Sequence, residues 1–162
     1  MTRPRVYVET TLPSYLTAFR SNNSRRALHQ EITQEWWKLA PKRIDWFISD
    51  LVWDEISDGD RSAAKERQDA VAGIPRLPLN SLVLHLVKLY EMNLGIPPKA
   101  KSDGVHLAIA VAHEMDYFVT WNCAHLMNAD VIRKLRAVNL REALETPIII
   151  TPEAMLEMLE DE

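Results

Sequence analysis

Only one cysteine, Cys123, occurs in the 162 residues, so neither an internal disulfide nor a thiolate metal cage can form. That usage favours a reducing cytoplasm. Glycine is scarce too. With four in the chain, no glycine-rich loop follows the first apolar strand, and a nucleotide-phosphate cradle is a poor reading. No apolar run is long enough to cross a bilayer, and the first residues carry no secretory hydrophobic segment, so no membrane association is expected. An excess of basic charge is also missing. The formal net charge of −4 argues against a clamp that grips nucleic acid over its whole surface. It leaves room for a local basic patch, or for acids that hold metal ions.

What remains is an ordinary globular composition, 47% hydrophobic, with no sign of disorder. Residues 1–162 are expected to form a single domain, a size at which roughly 68–70% of the unfolded surface can be buried.

The pattern alternates strands with helices. Arg5–Glu9 (RVYVE) reads as a first strand with an acidic end. Pro13 suits the first turn of a short helix, and Ser24 is read as the cap of a longer one from about Arg25 to Leu39. Asp45–Ser49 (DWFIS) is a second strand that runs into a helix holding Leu51, Val52, Glu55 and Ile56. A helix over Ser62–Ala72 is closed by Gly73 in the manner of a C′ glycine. Arg76–Leu79 is a weaker third strand between prolines, and Leu82, Val83, Leu86, Leu89 and Tyr90 then repeat at helical spacing. A proline-rich basic loop, Gly95–Lys101, precedes the next helix. Beyond it come a helix around Val131–Val138, a strand Pro147–Ile150, and a last helix capped by Thr151. Strands separated by helices imply a parallel sheet covered on both faces.

The most informative stretch is Lys101–Asn122, KSDGVHLAIAVAHEMDYFVTWN. Its helix is apolar on nearly every face, so it is expected to be buried on several sides. Asp103 stands in its first turn, where the positive end of the helix dipole favours an ionised acid. A short strand, Tyr117–Thr120, follows, and Asn122 lies just past it. Ligands of open parallel sheets bind outside the carboxyl ends of the strands. Glu9, Glu55, Asp103 and Asn122 all fall near that edge. Clustered carboxylates repel unless something positive sits among them, and oxygen donors without cysteine suit Mg²⁺ or Mn²⁺ better than zinc.

Four segments, VYVETTLPSYL, SDLVWDEI, SDGVHLAIAVAHEMDYFVTWN and IIITPEAML, together resemble the PIN-domain family, as in VapC-like toxins of toxin–antitoxin pairs. The resemblance runs from about Arg5 to Leu156. It implies a three-layer α/β/α sandwich with a central parallel sheet. It also implies acids that bind Mg²⁺ or Mn²⁺, metal-dependent cleavage of RNA, a homodimer and a small antitoxin partner. Glu9 stands where the family usually has aspartate, Glu55 matches the second acid and Asp103 the third. Asn122 takes the fourth position, acidic in many members. On this resemblance the metal ligands are Glu9, Glu55 and Asp103, with Asn122 completing the catalytic set. The longer Glu9 and the uncharged Asn122 weaken the case for two tightly held ions. They favour one metal, or two only when a substrate phosphate bridges them. A PIN-like domain with a weakened site, binding RNA without cutting it, is the alternative.

Each residue also has a plainer reading. Glu9 alone reads as a surface acid at a strand end, and Asp103 as a helix-start acid stabilised by about 0.3–1 kcal/mol. Glu55 is preferred over Asp54 because it borders the buried stripe of Leu51, Val52 and Ile56. Asn122 has two readings of equal weight, a site residue or a cap of the next turn. His106 is expected to be buried with a satisfied hydrogen bond, or else to orient Asp103. His85, His113 and His125 show no metal spacing and receive no role, and Asp116 is a turn residue. Thr10 and Thr11 are placed to orient a carboxylate. Lys99, Lys101, Arg3 and Arg5 are the cations nearest in sequence for phosphate, with plain solvation as the default. Trp36, Trp37 and Trp53 are read as packing or dimer surface rather than base-stacking platforms, and Trp36 and Trp37, with Leu82–Tyr90, supply apolar surface for a two-fold dimer.

Overall fold

The computed structural model describes residues 2–161. Strand β1 (Arg5–Val8) is followed by helices α1 (Thr11–Thr17) and α2 (Ser24–Arg43), then by strand β2 (Asp45–Ser49). Helices α3 (Asp50–Ile56) and α4 (Arg61–Val71) lead to the two-residue strand β3 (Arg76–Leu77). Helices α5 (Ser81–Asn93) and α6 (Lys101–Ala112) lead to β4 (Tyr117–Val119), and α7 (Ala129–Arg141) to β5 (Ile148–Ile150). Helix α8 (Pro152–Glu160) closes the described chain.

The five strands form one parallel sheet in the order β3-β2-β1-β4-β5. Val6 pairs with Trp46 on one side and with Tyr117 on the other, so β1 sits at the centre with both edges bonded. Its Val6, Tyr7 and Val8 are wholly buried, as a central parallel strand requires. The chain moves one way from β1 to β3, then crosses back past β1 to β4 and β5. Right-handed crossovers therefore place the helices of the two journeys on opposite faces. The packing agrees: α5 lies against α6 and α7, whereas α2 lies against α1 and α8. This is the three-layer sandwich expected from the sequence. No helix among the described residues is long and apolar enough to cross a membrane.

Several local expectations need correction. Asn23, not Ser24, caps α2, accepting a hydrogen bond from the Arg26 amide. Its side-chain carbonyl is placed to reach the third amide of the helix, which a residue already inside the first turn cannot do. The helix also runs on past Leu39 to Arg43, taking Pro41 into its last turn. Gly73 does not adopt a left-handed backbone; Gly59 and Gly95 do, at φ 84° and 72°. The third strand stops at Leu77, because Pro78 has no N–H to continue the ladder. Trp36 is fully buried and packs edge-on to Trp37, so it offers no surface to a second copy. On α5 the residues Val83, Leu86 and Tyr90 are likewise spent inside the fold. Arg3 and Arg5 lie at the amino end of β1, far from its acidic end. Arg5 donates to the His113 carbonyl and lies over the Phe47 ring, and Arg3 donates to the Pro41 and Ile44 carbonyls.

Candidate functional site

All five strands point their carboxyl ends to one edge, and three routes bring polar side chains there. The first is direct. Beyond Val8 the Glu9 amide still bonds the Val119 carbonyl at 3.2 Å, so Glu9 is held in register with the sheet. Its side chain turns inward and is only 4% exposed, which removes the surface-acid reading. Oε1 accepts the hydroxyls of Thr11 at 2.6 Å and Thr120 at 2.5 Å, and Oε2 accepts the Thr11 amide at 3.1 Å. Burial pushes the Glu9 carboxyl above its ordinary range, against the lowering influence of His106 and these hydrogen bonds.

The second route is through β2. Ser49 ends the strand and caps α3 by accepting the Val52 amide at 3.2 Å, so the helix starts at the sheet edge and carries Glu55 over it. Glu55 accepts from the Thr10 hydroxyl at 2.7 Å and meets His106 Nε2 at 2.5 Å. Partial burial acts to raise its pKa. The hydrogen bond and charge of His106, with hydrogen bonds from Thr10 and Ser102, outweigh that and hold it below the ordinary value. His106 Nδ1 faces the Tyr7 hydroxyl at 2.6 Å, which in turn meets Ser49 Oγ at 2.8 Å. Burial holds the Tyr7 phenol well above its usual pKa, so it remains a neutral hydroxyl. His106 is thus buried and satisfied, as expected, but it orients Glu55 rather than Asp103. It lies one turn along α6 from Asp103, and that turn carries its ring toward α3.

The third route is α6, which runs antiparallel to the strand it feeds. Its first turn therefore returns to the carboxyl edge and places Asp103 there. Asp103 Oδ2 accepts from Asn122 Nδ2 at 3.1 Å and faces His125 Nδ1 at 3.2 Å. Asn122 caps the next turn, its Oδ1 accepting the His125 amide at 3.0 Å while Nδ2 donates to Asp103. An aspartate at this position has no proton to donate to Asp103 when both are ionised. The amide therefore matches a neighbouring carboxylate without adding charge. Its own amide donates to the Thr120 hydroxyl oxygen at 2.9 Å, which ties it to the oxygen that serves Glu9.

Hydrogen bonds thus join three of the four predicted residues, Glu9, Asn122 and Asp103, and Glu55 stands beside them in a separate network with Thr10 and His106. Glu9 reaches Asn122 through Thr120, and Asn122 reaches Asp103, while Thr10, next to Glu9, holds Glu55. His125 and Thr120 were missed. His125 carried a local signal, since it stands three residues past Asn122, where a turn folds it back. Thr120 carried none, because only the pairing of β1 with β4 brings it to Glu9. Lys99 and Lys101 stand at the same edge, at the start of α6.

Among the described residues, no three acidic, histidine or cysteine side chains stand close enough to share one ion. The donor set still fits a hard cation in kind. It is all oxygen, and a buried carboxylate with a raised pKa gains from nearby positive charge. Mg²⁺ commonly binds through one or two carboxylates, with water and substrate phosphate completing its shell. Asp103 presents Oδ2 to both of its protein donors, so Oδ1 faces no protein donor among the described residues.

No family model and no curated protein matches the sequence. Among solved structures, the chain resembles one in the crystal structure of VapBC2 from Rickettsia felis bound to a DNA fragment from their promoter. Identity is 12%, the match covers 91% of this chain and 98% of that chain, and the TM-score is 0.58. At such low identity the likeness shows the fold. The PIN-like sandwich expected from the motifs is the fold observed.

The His106 pairing generates a prediction. His106→Leu leaves the Tyr7 hydroxyl and Glu55 without their shared partner and is expected to cost about 1–3 kcal/mol at neutral pH. A depressed carboxylate contributes stability that is present above its unfolded pKa and lost as pH falls through its folded pKa. Losing His106 raises Glu55, and it raises Glu9 further. The stability gap between wild type and variant therefore narrows toward acid without closing, because the Tyr7 hydroxyl stays unmatched. Urea melts across the acid range check this, and a gap that widens toward acid contradicts it.

Proposed function

We propose that this chain is a metal-dependent endoribonuclease that hydrolyses RNA phosphodiester bonds, acting in the cytoplasm as the toxin of a toxin–antitoxin pair with a small antitoxin protein as partner. The supporting observation is that Glu9, Glu55, Asp103 and Asn122 stand together at the carboxyl ends of the strands, on a PIN-like fold. Mg²⁺ or Mn²⁺ is assigned to Glu9, Glu55 and Asp103, one or two of them at a time, with water and substrate phosphate completing its shell. When bound, such an ion lowers the pKa of water and offsets charge on the phosphate oxygens. The chain's own residues set the stage for that chemistry. Thr11 and Thr120 fix the Glu9 carboxylate, and His106 with Thr10 fixes Glu55. Asn122 holds Asp103, while Lys99 and Lys101 attract the RNA backbone. A second reading, an RNA-binding or regulatory module with a weakened site, is favoured by one observation. Glu55 already carries two protein donors that a cation must compete with.

Metal binding is testable without activity. Mn²⁺ is expected to give a calorimetric signal and to raise the melting temperature by mass action. Neither heat nor a thermal shift at millimolar Mn²⁺ would remove the metal from the proposal.

The enzyme and binder readings separate on Asp103→Asn. That variant keeps shape and loses one charge, so folding and RNA affinity survive while cleavage falls by orders of magnitude, each ~1.36 kcal/mol of lost transition-state stabilisation being tenfold. Asn122→Asp adds an acid and strengthens metal binding. A time course on mixed structured RNA, with Mg²⁺ or Mn²⁺ and with chelator, decides. Equal cutting by wild type and Asp103→Asn would exclude Asp103 from the mechanism, and binding without any cutting favours the second reading.

A two-fold dimer belongs to the same proposal. With Trp36 and the inner face of α5 buried, its surface falls to the outer residues of α5, where Leu84 and Met92 are exposed. Light scattering at tens of micromolar is expected to return twice the chain mass, and the monomer mass would contradict the dimer.

A further inference from the structure

On the α5 side of α6, a cavity of about 350 Å³ is lined by Tyr90, Glu91, Ile96, Pro98, Lys101 and Gly104. Gly104 is the unusual member. It lies in an ordinary helical stretch, with no positive φ that would call for glycine. Close packing does not call for it either, since a Cβ built there meets nothing nearer than Tyr90 Cβ at 3.9 Å. Glycine inside a helix weakens it relative to alanine. What the missing side chain leaves is open space in the cavity.

The remaining lining has a consistent chemistry. Ile96, Pro98 and the Tyr90 ring are apolar walls, and the Tyr90 hydroxyl is already committed to Asn139. Lys101 lies three residues before Gly104, on the same face of α6. Among the described residues no carboxylate pairs with Lys101 or with the neighbouring Lys99. Glu91 is the one acceptor side chain. Asp103 lies between Lys101 and Gly104 in sequence and faces the other way, toward Asn122 and His125. Cavity and carboxylate edge therefore flank the first turn of the same helix.

We propose that this cavity receives the nucleobase next to the phosphate held at the carboxylate edge, in single-stranded RNA. The proposal rests on the RNA reading above and adds a site of base selection to it. The base lies against the apolar walls, Lys101 meets its phosphate, and Glu91 accepts from an amino group on the base edge. Single-stranded RNA is read in this way, by bases splayed into apolar slots and hydrogen-bonded along their edges. The preferred bases are those with an exocyclic amino group, cytosine, adenine or guanine, over uracil, and the first two are compared with uracil in the test.

The test is binding of short fluorescent oligo(C), oligo(A) and oligo(U), measured in chelator, to wild type, Gly104→Ala, Gly104→Leu and Glu91→Gln. Circular dichroism melts report folding. Wild type is expected to bind oligo(C) or oligo(A) in preference to oligo(U). Gly104→Leu fills the cavity and loses about tenfold for the preferred oligomer, which levels the three affinities. Glu91→Gln narrows the preference with its fold intact. Gly104→Ala, which fits at 3.9 Å, gives a smaller loss and carries the test with Glu91→Gln if the leucine variant does not fold. Unchanged discrimination in these variants overturns the cavity proposal. So does a Gly104→Leu protein that binds RNA normally and loses a protein partner instead. Base discrimination through the cavity without any cutting, with or without metal, overturns the nuclease reading alone. Cutting with the same site preference in wild type and Gly104→Leu overturns the cavity alone. A wild type that binds no RNA overturns both.

Discussion

A carboxylate at 4% exposure must be met by donors brought to it, and much of the site follows from meeting that demand at Glu9. The donors are the Thr11 hydroxyl and amide and the Thr120 hydroxyl. One oxygen of Thr120 serves two ends of the edge, donating to Glu9 and accepting from the Asn122 amide. Thr11 is similarly shared, since its hydroxyl oxygen also accepts the Trp121 amide at 3.0 Å. The chain after β1 and the chain after β4 are therefore stitched to each other by the hydrogen bonds that keep a buried acid supplied. Shifting either strand by one residue would take the Thr120 hydroxyl from that acid, which in a low-dielectric interior is costly.

Charge is balanced along the same edge by different means. Glu55 has an imidazole as its neighbour, Asp103 has an amide and a second imidazole, and Glu9 has hydroxyls. Three acids along one edge are tolerable because each has its own hydrogen-bond donors, and the charge of His106 favours both Glu9 and Glu55. The arrangement also orders the acids by availability. Glu9 has donors on both oxygens, whereas Glu55 and Asp103 each gather these bonds on one, Oε1 and Oδ2.

The sandwich was legible in the sequence because its signals are local. Apolar strands alternate with capped helices, and the nearly all-apolar α6 announces burial between layers. Glu9, Glu55, Asp103 and Asn122 were placed at one edge by the direction of parallel strands alone. What could not be read was which donor reaches which acid. Thr120 meets Glu9 only through the register Val8 to Val119, a pairing between distant segments. His106 was rightly expected inside the core, yet its direction was missed, because α6 passes α3 at an angle that sequence spacing does not encode. Trp36 shows the opposite error. A tryptophan in a polar-looking helix suggested surface, but the pattern there gives no warning of how deeply the ring is enclosed by Trp37 and Trp46.

The strand order has a consequence for the time at which any activity can arise. Glu9 emerges early in synthesis, and Thr120, its donor, lies 111 positions later. Asp103, Asn122 and His125 are also late, and β4 must insert beside β1 before the edge exists. A partial chain ending before α6 carries Glu9 and Glu55 yet has neither the threonine that seats the first nor the histidine on α6 that seats the second. Contacts so far apart in sequence form late in folding. The growing polypeptide therefore stays chemically mute until about three-quarters of it has left the ribosome. On the proposed toxin reading, in which the activity endangers the machinery making the chain, this is a delay written into the topology.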